Sequence, residues 1–454
     1  MNNKMVLNFF VFLLLIPKLG FAYPWVFFKD TKKENYLEFD FHSSYFLKNS
    51  YSAFVGGKME YHNTKIDIDL DYRYSLVERR QYARFGELSV NLPLKKDKLN
   101  IILGFRDFVW NEADRYWNLG LWQPRYFLDA FRPLQNSLPG IYFDYFNSSN
   151  TAVTFYFSYF YLPDVIIYPE VKNGVITSKN PYFSNTSFKG FKWNVKGLKP
   201  VKLEYFLQPL LAFQVYHQLS YSELFLSYAY KPRNQLQFFV QSEGISLSDS
   251  NSDITITGLD YDTVKHHLVT MESEIYLDDN FSIFASLFYE RPEKLEVQDN
   301  WVTDGFEPHL TTSFLIYFKE NLKNVGRTVF TLGYIQSFES QSKVDTSNII
   351  TEDLELIFGL GVNYWKHALS WSMEYWTEKI LSGFQFKFRL NYALDNQIYA
   401  TIFDTSVYVT PSLRAYVSGD IILRFAEHPI KSGTSLISKH RDLSRILLGV
   451  KYVF

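Results

Sequence analysis

Between Gly104 and Gly140 the chain reads GFRDFVWNEADRYWNLGLWQPRYFLDAFRPLQNSLPG. This stretch holds Trp110, Trp117 and Trp122, the arginines Arg106, Arg115, Arg125 and Arg132, and the acids Asp107, Glu112, Asp114 and Asp129, with no lysine between Lys98 and Lys172. Planar guanidinium groups pair with carboxylates and stack on rings, so the composition suits an ordered, partly dry polar network. A connection this long without strand alternation is as a rule functional or disordered, and its many rings argue against disorder. Placed across a lumen, the opposed charges would orient polar solutes and set ion preference, and the indole faces would stack on sugar rings. Packed at a rim or against a wall, the same ion pairs would fasten the segment there; the sequence leaves both placements open.

Other chemistry is sparse. There is no phosphate-binding Gly-rich loop, no Gly-x-Ser-x-Gly elbow and no His-Glu-x-x-His helix, and the nine histidines are scattered. The adjacent pair His266-His267 must point to opposite faces of any strand that carries it. Asp67-x-Asp69-x-Asp71 resembles the start of a calcium loop, but Tyr72 stands where that loop needs glycine. These acids are expected on one wet strand face, balanced by Lys65 and Arg73; Lys387 and Arg389 mark another such face. With no cysteine there is no disulfide, thiolate metal site or lipidated N-terminus, and no cofactor is implied.

The elements that must carry these residues are strands. From Lys65 to Tyr74, Ile66, Ile68, Leu70, Tyr72 and Tyr74 alternate with Lys65, Asp67, Asp69, Asp71 and Arg73. Phe384, Phe386, Phe388, Leu390 and Tyr392 oppose Gln385, Lys387, Arg389 and Asn391 in the same way. Such runs reach about ten residues, the length a tilted strand needs to cross a bilayer. Apolar faces ending in rings, as in Phe155, Phe157, Tyr159 and Tyr161 or in Leu354 to Tyr364, suit interfacial girdles.

Composition agrees. Aromatic residues make up 19% of the 454 residues while the mean hydropathy is only −0.16, which disfavours a bundle of apolar helices. The balance of 46 basic and 48 acidic residues offers no field for nucleic acid. At the N-terminus, Lys4, the apolar run Val6 to Ile16 and Gly20-Phe21-Ala22 read as a cleaved signal peptide over 1–22, followed by a short periplasmic segment over 23–35.

The chain ends with Ile446, Leu448, Val450, Tyr452 and Phe454 on one face. This resembles the last strand of Gram-negative outer-membrane barrels, which the barrel-assembly machinery reads. The resemblance implies an outer-membrane location in contact with lipid and lipopolysaccharide. The stretch around Gly104 to Gly140 is also loosely similar to porin-like barrels of the alginate-export type, and no substrate or binding residue is carried over from them.

The expected fold is therefore all-β, a single transmembrane antiparallel barrel over 36–454 with about 18 strands, roughly 16 to 20, and an inward-folded segment near 106–139. Loops are expected at Tyr168 to Lys189, Gly244 to Lys265, Arg291 to Pro308, Phe338 to Asp353 and Glu427 to Asp442. Five apparent strands between the last two loops would put one long loop on the wrong side. The expected function is a non-enzymatic, porin-like channel for small hydrophilic solutes. Pore-lining candidates are Arg106, Asp107, Asp114, Arg115, Trp117, Trp122, Arg125, Asp129, Arg132, Asp67, Asp69, Asp71, Lys387 and Arg389. A dedicated exporter or importer of, for example, a polysaccharide, and a closed structural or adhesive barrel, are the alternatives.

Overall fold

Alternation of apolar and polar residues forces one face of each strand toward lipid or core and the other toward water, and a closed sheet satisfies every strand edge at once. The computed structural model describes residues 36–453, leaving out 178–190, 194–205, 244–253, 294–300, 340–364, 425–443 and several shorter stretches. The expected signal peptide, the 23–35 segment, the run Leu354 to Tyr364, Asp129 and the terminal Phe454 lie outside the described residues.

Eighteen strands form one sheet. They are β1 (Tyr36–Phe46), β2 (Ser50–His62), β3 (Ile66–Ser75), β4 (Arg80–Pro93), β5 (Leu99–Arg106), β6 (Leu138–Ser148), β7 (Thr151–Phe160), β8 (Leu207–Gln218) and β9 (Ser222–Pro232). Then come β10 (Lys265–Tyr276), β11 (Phe281–Pro292), β12 (His309–Leu322), β13 (Gly326–Glu339), β14 (His367–Thr377), β15 (Phe384–Ala393), β16 (Ile398–Thr410), β17 (Leu413–Arg424) and β18 (Arg445–Val453). Each pairs antiparallel with its sequence neighbours, and β1 pairs with both β2 and β18, so the sheet closes into a barrel. The expected barrel and its strand number are the observed ones.

Tyr36 and Val453 lie at one end of the barrel. The connections at that end are short: 63–65, 94–98, 149–150, 219–221, 277–280, 323–325, 378–383 and 411–412. All the long ones, 107–137, 161–206, 233–264, 293–308, 340–366 and 425–444, are at the other end. The sheet passes directly from β13 to β14. Four barrel strands, not five, therefore separate the last two long connections, and the parity conflict disappears. The expected loop Gly244 to Lys265 is corrected in part: Ile254–Asp262 pairs with Gln237–Glu243, which pairs in turn with Trp301–Thr303.

Burial separates the two faces. On β18, Ile446, Leu448, Val450 and Tyr452 are exposed while Leu447 and Val453 are buried. On β10, Val269, Met271 and Ile275 are exposed, and His266, Leu268, Thr270, Glu272 and Glu274 are buried toward the lumen. Exposed rings stand toward both ends of the outer face, with Tyr221 and Tyr452 at one end and Tyr159, Phe160 and Tyr289 at the other. Tyr161 departs from the expected face: it follows the end of β7, is buried, and its hydroxyl donates to the carbonyl of Arg233. Among the described residues no helix is long and apolar enough to cross a membrane.

Candidate functional site

The only described α-helix, α1 (Glu112–Trp117), lies in the segment that links β5 to β6. Asn111 caps its N-terminus by accepting from the Asp114 N–H at 3.0 Å, the arrangement expected of a short polar cap residue. Asn118 ends it in the left-handed region with φ of 52°. The buried Asp114 carboxylate then accepts from the N–H groups of Leu121 (3.0 Å) and Trp122 (3.2 Å), folding the chain back on the helix. Burial pushes the Asp114 carboxyl above its ordinary pKa, against the opposing pull of these N–H groups and of Arg125 and Lys231. Gly120, with φ of 69°, completes the turn, and a Cβ there would meet the Arg125 guanidinium at 2.4 Å.

The segment is bound to the inner faces of many strands. The Trp110 carbonyl accepts from Gln214 of β8 (2.9 Å) and from Ser227 of β9. The first N–H groups of α1, at Glu112 (3.1 Å) and Ala113 (3.4 Å), donate to the Glu272 carboxylate of β10, which also accepts from Ser286 of β11 at 2.7 Å. The Trp117 indole N–H donates to Ser313 of β12 at 2.9 Å, and the Tyr116 hydroxyl meets Ser370 of β14 at 2.9 Å. Contacts on β8 through β14 place the helix against the inner wall, not at the rim.

Apolar burial holds it there. Trp110 stacks on Trp122 with centroids 4.8 Å apart, and both join Trp117, Leu268, Phe284, Phe288, Leu315 and Ile335 in one buried cluster. Each buried indole removes roughly 150–250 Å² from water, a gross gain on the order of 4–6 kcal/mol before ordering entropy is subtracted. The β13 position facing the helix is Gly333, where a Cβ would sit 3.0 Å from Trp117 and 3.1 Å from Tyr116. Gly333→Leu is expected to force the helix off the wall at about 1–3 kcal/mol, read as faster amide exchange over 112–122 with the barrel ladder unchanged.

The sequence candidates divide into anchors and solvent-facing groups. Asp114, Trp117, Trp122 and Arg125 are each at most 2% exposed and cannot touch a passing solute, so the expected stacking of Trp117 and Trp122 on sugars is corrected. Arg125 instead holds Asp164, just past β7, through its backbone N–H (2.5 Å), its Nε (3.1 Å) and its Nη2 (2.9 Å). Arg132 reaches the opposite wall, where Nε donates to Asp420 of β17 at 2.9 Å and Nη1 pairs with Asp404 of β16. Arg106 pairs with Asp144 of β6 at 2.9 Å and lies over the rings of Phe108 and Tyr142.

Asp107 and Arg115 are the exposed pair, 3.8 Å apart, with side chains 44% and 53% exposed. Along the wall, Lys387 pairs with Glu374 (3.1 Å), and Arg389 stacks 4.1 Å over Tyr116. Asp69 pairs with Arg84 (3.1 Å), Asp71 with Arg73 (3.1 Å) and Asp67 with His62 (2.8 Å). Sequence reasoning missed Asp164, Glu272, Asp404, Asp420 and Gly333. The only local signal for any of them was inner-face alternation, which does not say which of many polar residues a distant loop will meet.

Inner-face residues of β8 through β12 such as Gln214, Ser227, Thr270, Glu272, Ser286 and Ser313 are buried under the segment. Partly exposed charged side chains remain on β14 through β18 and on β1 through β3, among them Glu374, Lys387, Asp404, Lys451, Lys58 and Arg73. The wetted part of the lumen is thus lined by charges of both signs.

No family model and no curated protein matches the sequence. Several solved structures resemble the fold. OccK11 (OpdR) of Pseudomonas aeruginosa superposes with a TM-score of 0.45 at 12% identity, over 92% of this chain and 95% of that one. OccAB3 of Acinetobacter baumannii gives 0.41 at 12% identity, over 92% and 98%. OpdK of Pseudomonas aeruginosa with vanillate gives 0.44 at 10% identity, over 92% and 98%.

Proposed function

We propose that the protein is a porin-like outer-membrane channel through which small hydrophilic solutes diffuse passively past the docked 107–126 part of the segment, beside the charged wall of β14 to β3 that Arg132 reaches. The observation that carries this reading is the split of the inner surface. One side is sealed by a buried aromatic cluster, and the other keeps solvent-reachable Glu374, Lys387, Asp404, Lys451, Lys58 and Arg73. Paired charges of opposite sign set a transverse field that favours polar, hydrated solutes and tunes ion preference. The reading assigns no reaction to the chain. Its biogenesis partner would be the barrel-assembly machinery, acting on the outward residues of β18, and its lipid partners would cover the exposed apolar band.

Single-channel recording of the folded chain in a planar bilayer tests this. Stepwise ohmic currents are expected, and Arg115→Ala should shift the permeability ratio toward cations by about two- to fivefold, the factor one screened charge supplies at close range. Arg115 is the variant of choice because Arg125 is an anchor, so changing both would mix selectivity with loss of the segment. A folded barrel without currents would overturn the open-channel reading in favour of a closed structural barrel or a gated exporter.

A further inference from the structure

At the end of the barrel that holds the short turns, the inner faces of β2, β3 and β4 bring together three groups from separate strands. His62 stands directly opposite Asp67 in the β2–β3 register, and Glu87 is the partner of Asp69 in the β3–β4 register. A ring nitrogen of His62, a carboxylate oxygen of Asp67 and one of Glu87 all lie within 4.8 Å of one another. We propose that these three side chains form a binding site for a divalent cation of borderline character, of which Zn²⁺ is the type, set in the wall of the lumen.

Three observations support the assignment. The first is the donor set, since one imidazole with two carboxylates is a set that zinc accepts, leaving a fourth position for water. Donors around a tetrahedral zinc stand about 3.4 Å apart, so the widest separation must close by up to about 1.4 Å, within the reach of side-chain rotation. The second is placement: the donors stand on paired strands, and His62 and Glu87 are largely withdrawn from solvent, with His62's side chain 9% exposed and Glu87 7% exposed. A site on rigid elements loses little entropy when it closes.

The third is charge. Over the inner-face positions from Lys58 to His62, Lys65 to Arg73 and Arg84 to Ser89, the acids are Glu60, Asp67, Asp69, Asp71 and Glu87, and the bases are Lys58, Lys65, Arg73 and Arg84. Five acids against four bases leave the cluster net negative, which favours a bound cation over none. Among these groups Lys58 lies against Glu60 and Asp69, Arg84 against Asp69, and Arg73 against Asp71. His62 Nδ1 and Asp67 Oδ1 already stand 2.8 Å apart, so two of the three donors are adjacent before an ion arrives. Metal binding at the wall can be read without transport.

The test is calorimetric titration of Zn²⁺ into the refolded chain in detergent, alongside His62→Ala and Glu87→Gln proteins shown to be folded by heat-modifiable migration. One zinc per chain is expected, weakened tenfold or more in each variant. Planar-bilayer currents should change on adding Zn²⁺ to the wild type and not to His62→Ala. Absence of binding at one equivalent, or binding that both folded variants leave unchanged, would overturn the site. Ca²⁺ binding as tightly as Zn²⁺ and indifferent to His62→Ala would also overturn it, because a hard cation would then be using the carboxylates alone.

Discussion

Excising residues 110–135 and joining Val109 to Asn136 through a short Gly-Ser linker should raise the unit conductance roughly threefold or more, because an 18-strand wall encloses a wide lumen once nothing crosses it. The barrel ladder closes without any hydrogen bond from the excised residues, so the variant should still fold and migrate as a heat-modifiable barrel. The deletion also uncovers Leu268, Phe284, Phe288, Leu315 and Ile335 on the inner wall. These side chains should then bind an apolar fluorescent probe that the intact protein excludes. Unchanged conductance in a folded deletion variant would show that the segment does not restrict the path.

The second large effect is expected at the anchor of the same segment. Arg125→Ala leaves the Asp164 carboxylate buried without its guanidinium, and breaking a buried pair from one side costs about 3–5 kcal/mol. The cost falls on the docking of the segment and not on the ladder. Amide exchange over 112–126 should accelerate by about two to three orders of magnitude, and the open-channel current should become noisier. The double variant Arg125→Leu with Asp164→Leu should recover most of the protection, since two apolar groups replace the pair without leaving a lone charge. If Arg125→Ala leaves exchange as in the wild type, the pair does not hold the segment.

Both predictions rest on a feature that no strand pattern announces. The sheet is a different matter. The period-2 runs of Ile66 to Tyr74 and Phe384 to Tyr392 and the outward row Ile446 to Tyr452 were legible in the sequence. Alternation is a local property: side chains on a strand point to opposite faces whatever lies beyond it. The run Phe281 to Tyr289 held a further, weaker signal, because Phe284 and Phe288 interrupt what should be a wet face. A strand apolar on both faces needs cover on both, and Trp117 and its neighbours supply it on the inner one.

The composition of the 104–140 stretch fixed what kind of object it is, an ordered, ion-paired, ring-rich segment, because arginine, acid and indole side chains have few other uses in such density. Where it docks was decided by tertiary structure alone. Asn111 caps α1 three residues away, but Glu272 meets α1 across 160 residues of chain, and Arg132 meets Asp420 across 288. Such contacts depend on which inner-face carboxylates the closure of the barrel brings to the same height. The same closure separated Arg115, which faces solvent, from Arg125, which is sealed, although the two lie ten residues apart in one motif. The residue types set the available chemistry; the closed sheet determined which groups meet water and which meet each other, because burial belongs to the assembled surface and not to the chain.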